Sequence, residues 1–204
     1  MKQIPTVFIG TSNEGVSSLK ALADHPGYDL RAVLTQPDKP VGRKQELQPA
    51  PVKEAAQKLN LNVHTSDEPD NIYSRIVRKY QPEFAVVIAF GDFLPKSFLD
   101  SLKHSCINVH YSLLPVLRGA VPVQKAILEG HEKIGVTIQI MEESMDTGPL
   151  LAQKAIPIKP NDTTSTLKEQ LIPLGKELLM KTLPKWSTGS IPPMDSAPSN
   201  ATKC

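Results

Sequence analysis

Two cysteines in 204 residues, Cys106 and Cys204, are too few for a disulfide framework or a cysteine-based metal knuckle. Cys106 sits in an apolar run and reads as a buried thiol, whereas Cys204 is expected to be exposed. That usage suits a reducing compartment, and a cytoplasmic location is the expectation. Net charge is nearly absent: 23 Lys and Arg against 21 Asp and Glu leave +2. A polyanionic partner would have to be met by a local basic patch, not by a global field. No apolar run approaches the roughly 20 residues that span a bilayer. The N-terminus shows no charged segment followed by an apolar one, so neither a signal peptide nor a membrane partner is expected. Dinucleotide and nucleotide signatures are missing as well. The run Gly10-Thr11-Ser12-Asn13-Glu14-Gly15 lacks the Gly-x-Gly-x-x-Gly spacing, and no Gly-Lys-Ser/Thr follows. A tight strand-to-helix turn explains both glycines, which counts against a nicotinamide-dependent oxidoreductase on a similar architecture.

What is present is a globular pattern. Hydrophobic residues make up 40% of the chain, and the length allows a sizeable core. Short apolar runs at residues 6–10, 30–34, 63–64, 84–89, 105–109, 136–141 and 150–158 read as strands. Helix-spaced segments fall between them, at 16–23, 50–59, 71–80, 98–102 and 123–128. A longer one at 167–183 is interrupted by Pro173 and Gly175. The Pro- and Gly-bearing stretch 36–49 reads as a loop. Strand-helix alternation predicts an α/β, Rossmann-like fold, with a mostly parallel sheet and helices on both faces. One catalytic domain is expected over residues 1–190, and the Ser-, Pro- and Asn-rich residues 191–204 read as a linker or extended tail.

Asn108-Val109-His110 closes one predicted strand. Alternation puts Asn108 and His110 on one face, at the carboxyl end where open α/β sheets bind ligands. An amide donor beside an imidazole can hold a developing oxyanion, although a strand-end Asn and His also often just bond the adjoining loop. His25, His64, His104 and His131 show no ligand spacing with carboxylates or cysteines, so no metal is expected.

The Asn-x-His pair runs on through Tyr111-Ser112-Leu113-Leu114-Pro115 to Arg118-Gly119, and Asp146-Thr147-Gly148 lies downstream. This set resembles the folate-dependent formyltransferases. Membership would imply transfer of a formyl group from 10-formyltetrahydrofolate to an amine, with Asn108, His110 and Asp146 catalytic. In that reading the Asn108 amide and a protonated His110 stabilise the oxyanion. Asp146 pairs with His110 and helps to move the proton off the amine. The family pattern also implies that Ser112, Leu113, Leu114 and Pro115 shape the folate pocket. The pterin would lie between Phe90, Gly91 and Leu94 and the loop Glu142-Glu143-Ser144. Val116 and Leu117 depart from the Arg-Trp usual there, and Tyr111 from a small residue.

A narrower resemblance lies in residues 36–44, which are similar to the basic loop of the methionyl-tRNA formyltransferases. It implies initiator methionyl-tRNA as partner, a role in translation initiation, and phosphate contacts from Lys39, Arg43 and Lys44. It also implies that residues 191–204 lead toward a C-terminal β-barrel domain. The alternative acceptors are an amino-sugar nucleotide, glycinamide ribonucleotide or another small amine. An inactive binding module of the same fold is a further alternative, disfavoured because all three polar catalytic positions are present.

Overall fold

Every residue of strand β1 (Ile4–Gly10) from 5 to 10 is buried, as a strand flanked on both edges and both faces must be. It pairs in parallel with β2 (Tyr28–Thr35) on one side and β6 (Phe84–Ile88) on the other, and β2 pairs in parallel with β5 (Val63–Thr65). Gly10 ends β1 because a Cβ there would stand 2.7 Å from the Ile88 carbonyl oxygen. A single 3-10 turn, Asn13–Gly15, then starts helix α1 (Val16–Ala23). The glycines at 10 and 15 thus serve a tight strand-to-helix turn. Helix α2 (Pro51–Lys58) places its proline in the first turn, where no N–H is needed. Helix α3 (Ile72–Tyr80) buries Ile72, Ile76 and Tyr80, one face at a spacing of four. Asn71 caps it by accepting the Ser74 N–H at 3.3 Å. Helices α1 and α2 pack on each other and on β2, and α3 packs on β2 and on the short α4 (Lys96–Leu99). Fully buried side chains such as Phe8, Leu19 and Leu34 each contribute about 1.5–3 kcal/mol.

The computed structural model describes residues 3–68, 71–196 and 200–204. The elements above belong to one compact unit, Met1–Cys106, and those below to a second, Ile107–Cys204. The strand that opens the second unit is β7 (Cys106–His110). It pairs antiparallel with β8 (Lys133–Ile140), which pairs antiparallel with β9 (Leu150–Pro157). Helix α5 (Pro122–Leu128) packs on α6 (Thr164–Ser187), and α6 packs on β8 and β9. The class is α/β and Rossmann-like, as expected, with its parallel strands in the first unit.

Two local expectations are corrected. Helix α6 is not interrupted: it runs from 164 to 187 through Pro173 and Pro184. Leu167, Leu171, Leu179 and Leu183 are buried at fourfold spacing along it. The bond lost at Pro173 would have run to exposed Glu169, where water can replace it. Gly175 lies in the same stripe. A Cβ there would press on Val109 and Tyr111 at 3.2 Å, so the glycine lets α6 lie close against β7. The loop at 36–49 contains a hairpin, β3 (Lys39–Val41) with β4 (Glu46–Gln48), turned by Gly42 at φ 72° and Gln45 at φ 51°. The described residues of the tail are hydrogen-bonded to the rest of the second unit. Met194 exchanges two backbone hydrogen bonds with Leu150, at 2.7 and 2.8 Å, and residues 202–204 bond to the segment 115–118. Residues 197–199 of that tail lie outside the described residues.

Candidate active site

Asp146 is the centre of the site. It follows β8 in a left-handed conformation, φ 54°, a region that costs a non-glycine residue about 1–3 kcal/mol unless its surroundings hold it there. They do. Oδ2 accepts the Gly119 backbone N–H at 2.8 Å, and Oδ1 accepts from Gln139 Nε2 at 2.7 Å. His110 Nδ1 lies 3.6 Å from Oδ2, and Asn108 Nδ2 lies 3.5 Å from Oδ1. The structure therefore brings together the three residues expected to be catalytic. It does so for a reason that two-residue alternation foretells: Asn108 and His110 share a face of β7. Gly148 closes the Asp146 loop on β8, since a Cβ at 148 would collide with the Ile140 carbonyl.

The two donors on β7 differ in what they have left to give. At 3.5 Å the Asn108–Asp146 contact is at the limit of hydrogen bonding, and Asn108 is half-buried. Its amide retains a donor for an incoming oxygen. His110 is only 6% exposed, and its ring faces oxygen acceptors on both sides. Nε2 is 2.9 Å from the Leu117 carbonyl oxygen. A carbonyl only accepts, so Nε2 carries a hydrogen, and a proton on Nδ1 would face Asp146. The expected direct contact of His110 with an oxyanion thus requires Leu117 to release Nε2. Leu117 itself is left-handed, φ 58°.

The segment 112–115 is a folded turn held from beneath. Ser112 is fully buried, and its hydroxyl donates to the Val116 carbonyl at 2.5 Å. Thr137 Oγ1 donates to the Ser112 carbonyl at 2.7 Å and accepts the Leu114 N–H at 3.1 Å. Gln153 Nε2 reaches both the Leu114 carbonyl and Thr137 Oγ1, at 2.7 and 2.9 Å. The peptide bond from Leu114 to Pro115 is cis; Leu114 is buried and Leu113 half-buried. Glu142, Glu143 and Ser144 are exposed.

In the first unit, Phe90 and Leu94 are buried and Gly91 is exposed at φ 82°. Thr11 Oγ1 donates to the Phe90 carbonyl at 2.8 Å, which ties this loop to the end of β1. Lys39, Arg43 and Lys44 are exposed on the hairpin. Lys39 Nζ bonds Gln36 Oε1, and Arg43 and Lys44 have no ion-pair partner among the described residues. Cys106 is buried, and burial pushes its thiol pKa up; Cys204 is half-buried, not exposed. Among the described residues no three His, Cys, Asp or Glu side chains are grouped to hold a metal ion. No helix among them is long and apolar enough to cross a membrane.

A family model described as formyl transferase matches residues 4–183. The chain belongs to the formyl transferase family. It is similar to methionyl-tRNA formyltransferase of Caldicellulosiruptor saccharolyticus, 46% identical over 179 residues, 87% of this chain and 58% of that protein. The protein of the same name from Enterococcus faecalis is 46% identical over 200 residues, 96% of this chain and 63% of that protein. The chain spans about three fifths of the length of these curated relatives. Among solved structures, phosphoribosylglycinamide formyltransferase from Bacillus halodurans matches with a TM-score of 0.73 at 25% identity, over 93% of this chain and 97% of that one.

Several residues of this candidate site escape sequence reading. Gln139 stands opposite Asn108 in the β7–β8 register, and Thr137 stands opposite His110. A signal for both was available: polar residues two apart in the apolar run Ile134-Gly135-Val136-Thr137-Ile138-Gln139-Ile140. Gly119 and Leu117 contribute backbone groups, which no side-chain motif announces.

Proposed function

We propose that the chain carries the catalytic site of a formyltransferase that moves the formyl group of 10-formyltetrahydrofolate to the amino group of initiator methionyl-tRNA. The observation that carries the chemistry is the Asp146 carboxylate, which gathers Asn108, His110, Gln139 and the Gly119 N–H around one point. The folate supplies the formyl group. The chain's own residues do the rest. The spare Asn108 donor faces the formyl oxygen as negative charge develops on it, in a half-buried setting where such a donor acts strongly. His110, held between the Leu117 carbonyl and Asp146, orients that carboxylate and gives a donor to the oxyanion only when Leu117 releases Nε2. The carboxylate of Asp146 receives the proton from the attacking amine, directly or through water, and the proton passes on to N10 of the folate as the bond between the formyl carbon and N10 breaks. Ser112, Leu113, Leu114, Pro115, Phe90, Gly91, Leu94, Glu142, Glu143 and Ser144 are assigned to the folate. Lys39, Arg43 and Lys44 are assigned to tRNA phosphates. In this reading residues 1–190 act as one catalytic domain in the cytoplasm.

The tRNA acceptor is supported by the similarity to methionyl-tRNA formyltransferases over most of this chain and by the exposed cations of the hairpin. The test offers charged initiator tRNA, an amino-sugar nucleotide and glycinamide ribonucleotide side by side with 10-formyltetrahydrofolate. Formylation of the tRNA alone supports the proposal. Preference for a small amine would leave the chemistry standing and overturn the acceptor.

A further inference from the structure

The peptide group between Leu117 and Arg118 is held at both ends. Its carbonyl oxygen accepts His110 Nε2 at 2.9 Å. Its N–H, on Arg118, donates to the Thr202 carbonyl at 2.8 Å. In a trans peptide the C=O and N–H point in opposite directions within one rigid plane, so fixing the N–H aims the carbonyl. Thr202 holds the neighbouring peptide too: its Oγ1 accepts the Leu117 N–H at 2.8 Å. Two more bonds zip the segments together, Thr202 N–H to the Pro115 carbonyl at 3.2 Å and Cys204 N–H to the Arg118 carbonyl at 2.7 Å. Gly119, φ 121°, leaves room for this approach, since a Cβ there would stand 2.7 Å from the Cys204 carbonyl oxygen. Leu117 occupies a left-handed conformation that a leucine does not choose unaided.

We propose that Thr202 is a positioning residue for the active site: it locks the Leu117 carbonyl, which in turn fixes the ring orientation and protonation site of His110. The segment 200–204 is then part of the active-site framework. The inference rests on the reading of His110 as part of the reacting group, and it acts on the imidazole without touching the reactants.

The protein labelled with ring-15N histidine gives the readout directly. Wild-type His110 should show a protonated, slowly exchanging Nε2, and the Leu117 and Arg118 amides should be protected from hydrogen exchange. Thr202→Val removes the hydroxyl acceptor of the Leu117 N–H at nearly constant shape but leaves the backbone bond from the Arg118 N–H, whereas deletion of residues 200–204 removes both. His110 should then shift toward a mixture of Nδ1- and Nε2-protonated rings, and the Leu117 amide should exchange faster. Thr202→Ser should restore both. In formyl transfer, Thr202→Val should lower kcat by up to about 100-fold, the scale of a small misplacement of a reacting group, with KM for the folate unchanged. Unprotected Leu117 and Arg118 amides in the wild type would overturn the proposal before any variant is made. So would an unchanged His110 spectrum in both Thr202→Val and the 200–204 deletion, or a raised kcat, which would make the contact a latch. If the ring signals respond as described but no form of the chain transfers formyl, the proposed activity fails and the positioning role stands.

Discussion

Asp146 Oδ2 accepts the backbone N–H of Gly119 at 2.8 Å, so one carboxylate orders both the side chains of β7 and the loop that follows them. Asp146→Asn keeps the volume but turns one acceptor into a donor. Either Gly119 N–H or Gln139 Nε2 then faces an NH2 group, and one buried donor lacks an acceptor, a loss of about 1–3 kcal/mol. The denaturant midpoint should fall with an unchanged slope, and turnover should fall by about 10² to 10³. A variant matching the wild type in both would remove Asp146 from the centre of the site.

Asn108→Ala should separate these two effects. Its contact with Asp146 is long, 3.5 Å, and its side chain is not fully buried. Little stability should be lost, while turnover falls by on the order of 10² to 10³ as an oxyanion donor disappears. Equal losses of stability in Asn108→Ala and Asp146→Asn would mean that Asn108 is a structural residue and not the donor assigned here.

Asn108, His110 and Asp146 are legible in the sequence because a motif of short range carries them and alternation fixes their common face. Gln139 is not legible that way: it meets Asp146 only through the antiparallel register of β7 with β8. The contact of Leu117 with Thr202 spans 85 positions, beyond any local pattern, and composition alone makes that tail look like a linker. The hairpin at 39–48 carries no apolar alternation, and its Leu47 is 70% exposed, so its turn residues outweigh its strands in a sequence reading. In α6 the error was of weighting. Pro173 and Gly175 read as breaks, but four leucines buried at fourfold spacing, 167, 171, 179 and 183, outweigh the loss of one exposed hydrogen bond.

Gly148→Ala tests the loop that delivers Asp146. The added methyl would collide with the Ile140 carbonyl, a backbone atom that cannot swing aside. Overpacking of this kind costs about 1–3 kcal/mol, and here the displacement falls on the Asp146 side of the loop. The melting temperature and turnover should drop together. A fully active, fully stable variant would show that the Asp146 position does not depend on this close approach.

His64, in the first unit, should give the protein an acid-sensitive side. Its Nδ1 lies 3.2 Å from the Glu68 carboxylate and its Nε2 2.9 Å from the Tyr80 hydroxyl. Burial, and then the positive charges of Arg75 and Lys79, lower its pKa from 6.5. With the folded pKa below the unfolded one, the unfolded chain binds more protons in the window between them. Stability therefore rises with pH across that window, and is lost as pH falls below 6.5 toward the folded value. Unfolding midpoints measured from about pH 5 to 8, the range in which histidine titrates, should show this slope. His64→Gln should flatten it. A slope of the opposite sign, or one that His64→Gln leaves intact, would assign the effect elsewhere.

Arg43 and Lys44 sit exposed at the tip of the β3–β4 hairpin, adjoining the glycine that turns it, whereas Lys39 is partly engaged by Gln36. If the hairpin meets tRNA phosphates, each of the two free cations releases a counterion on binding. The dependence of log affinity on log salt should then lose about 0.9 per cation removed, on the duplex scale. Arg43→Ala combined with Lys44→Ala should weaken tRNA binding most at low salt, and the affinity of this double variant should converge with that of the wild type as salt rises. Folate binding and the unfolding midpoint should not change, since both side chains project from a surface hairpin and support no core residue. Lys39→Ala should have the smaller effect of the three. Phosphate contacts position a nucleic acid without reading its sequence, so the loss should be the same for initiator and elongator tRNA. A salt slope unchanged in the double variant would show that the tRNA is held by another surface, even where formyl transfer to it is intact.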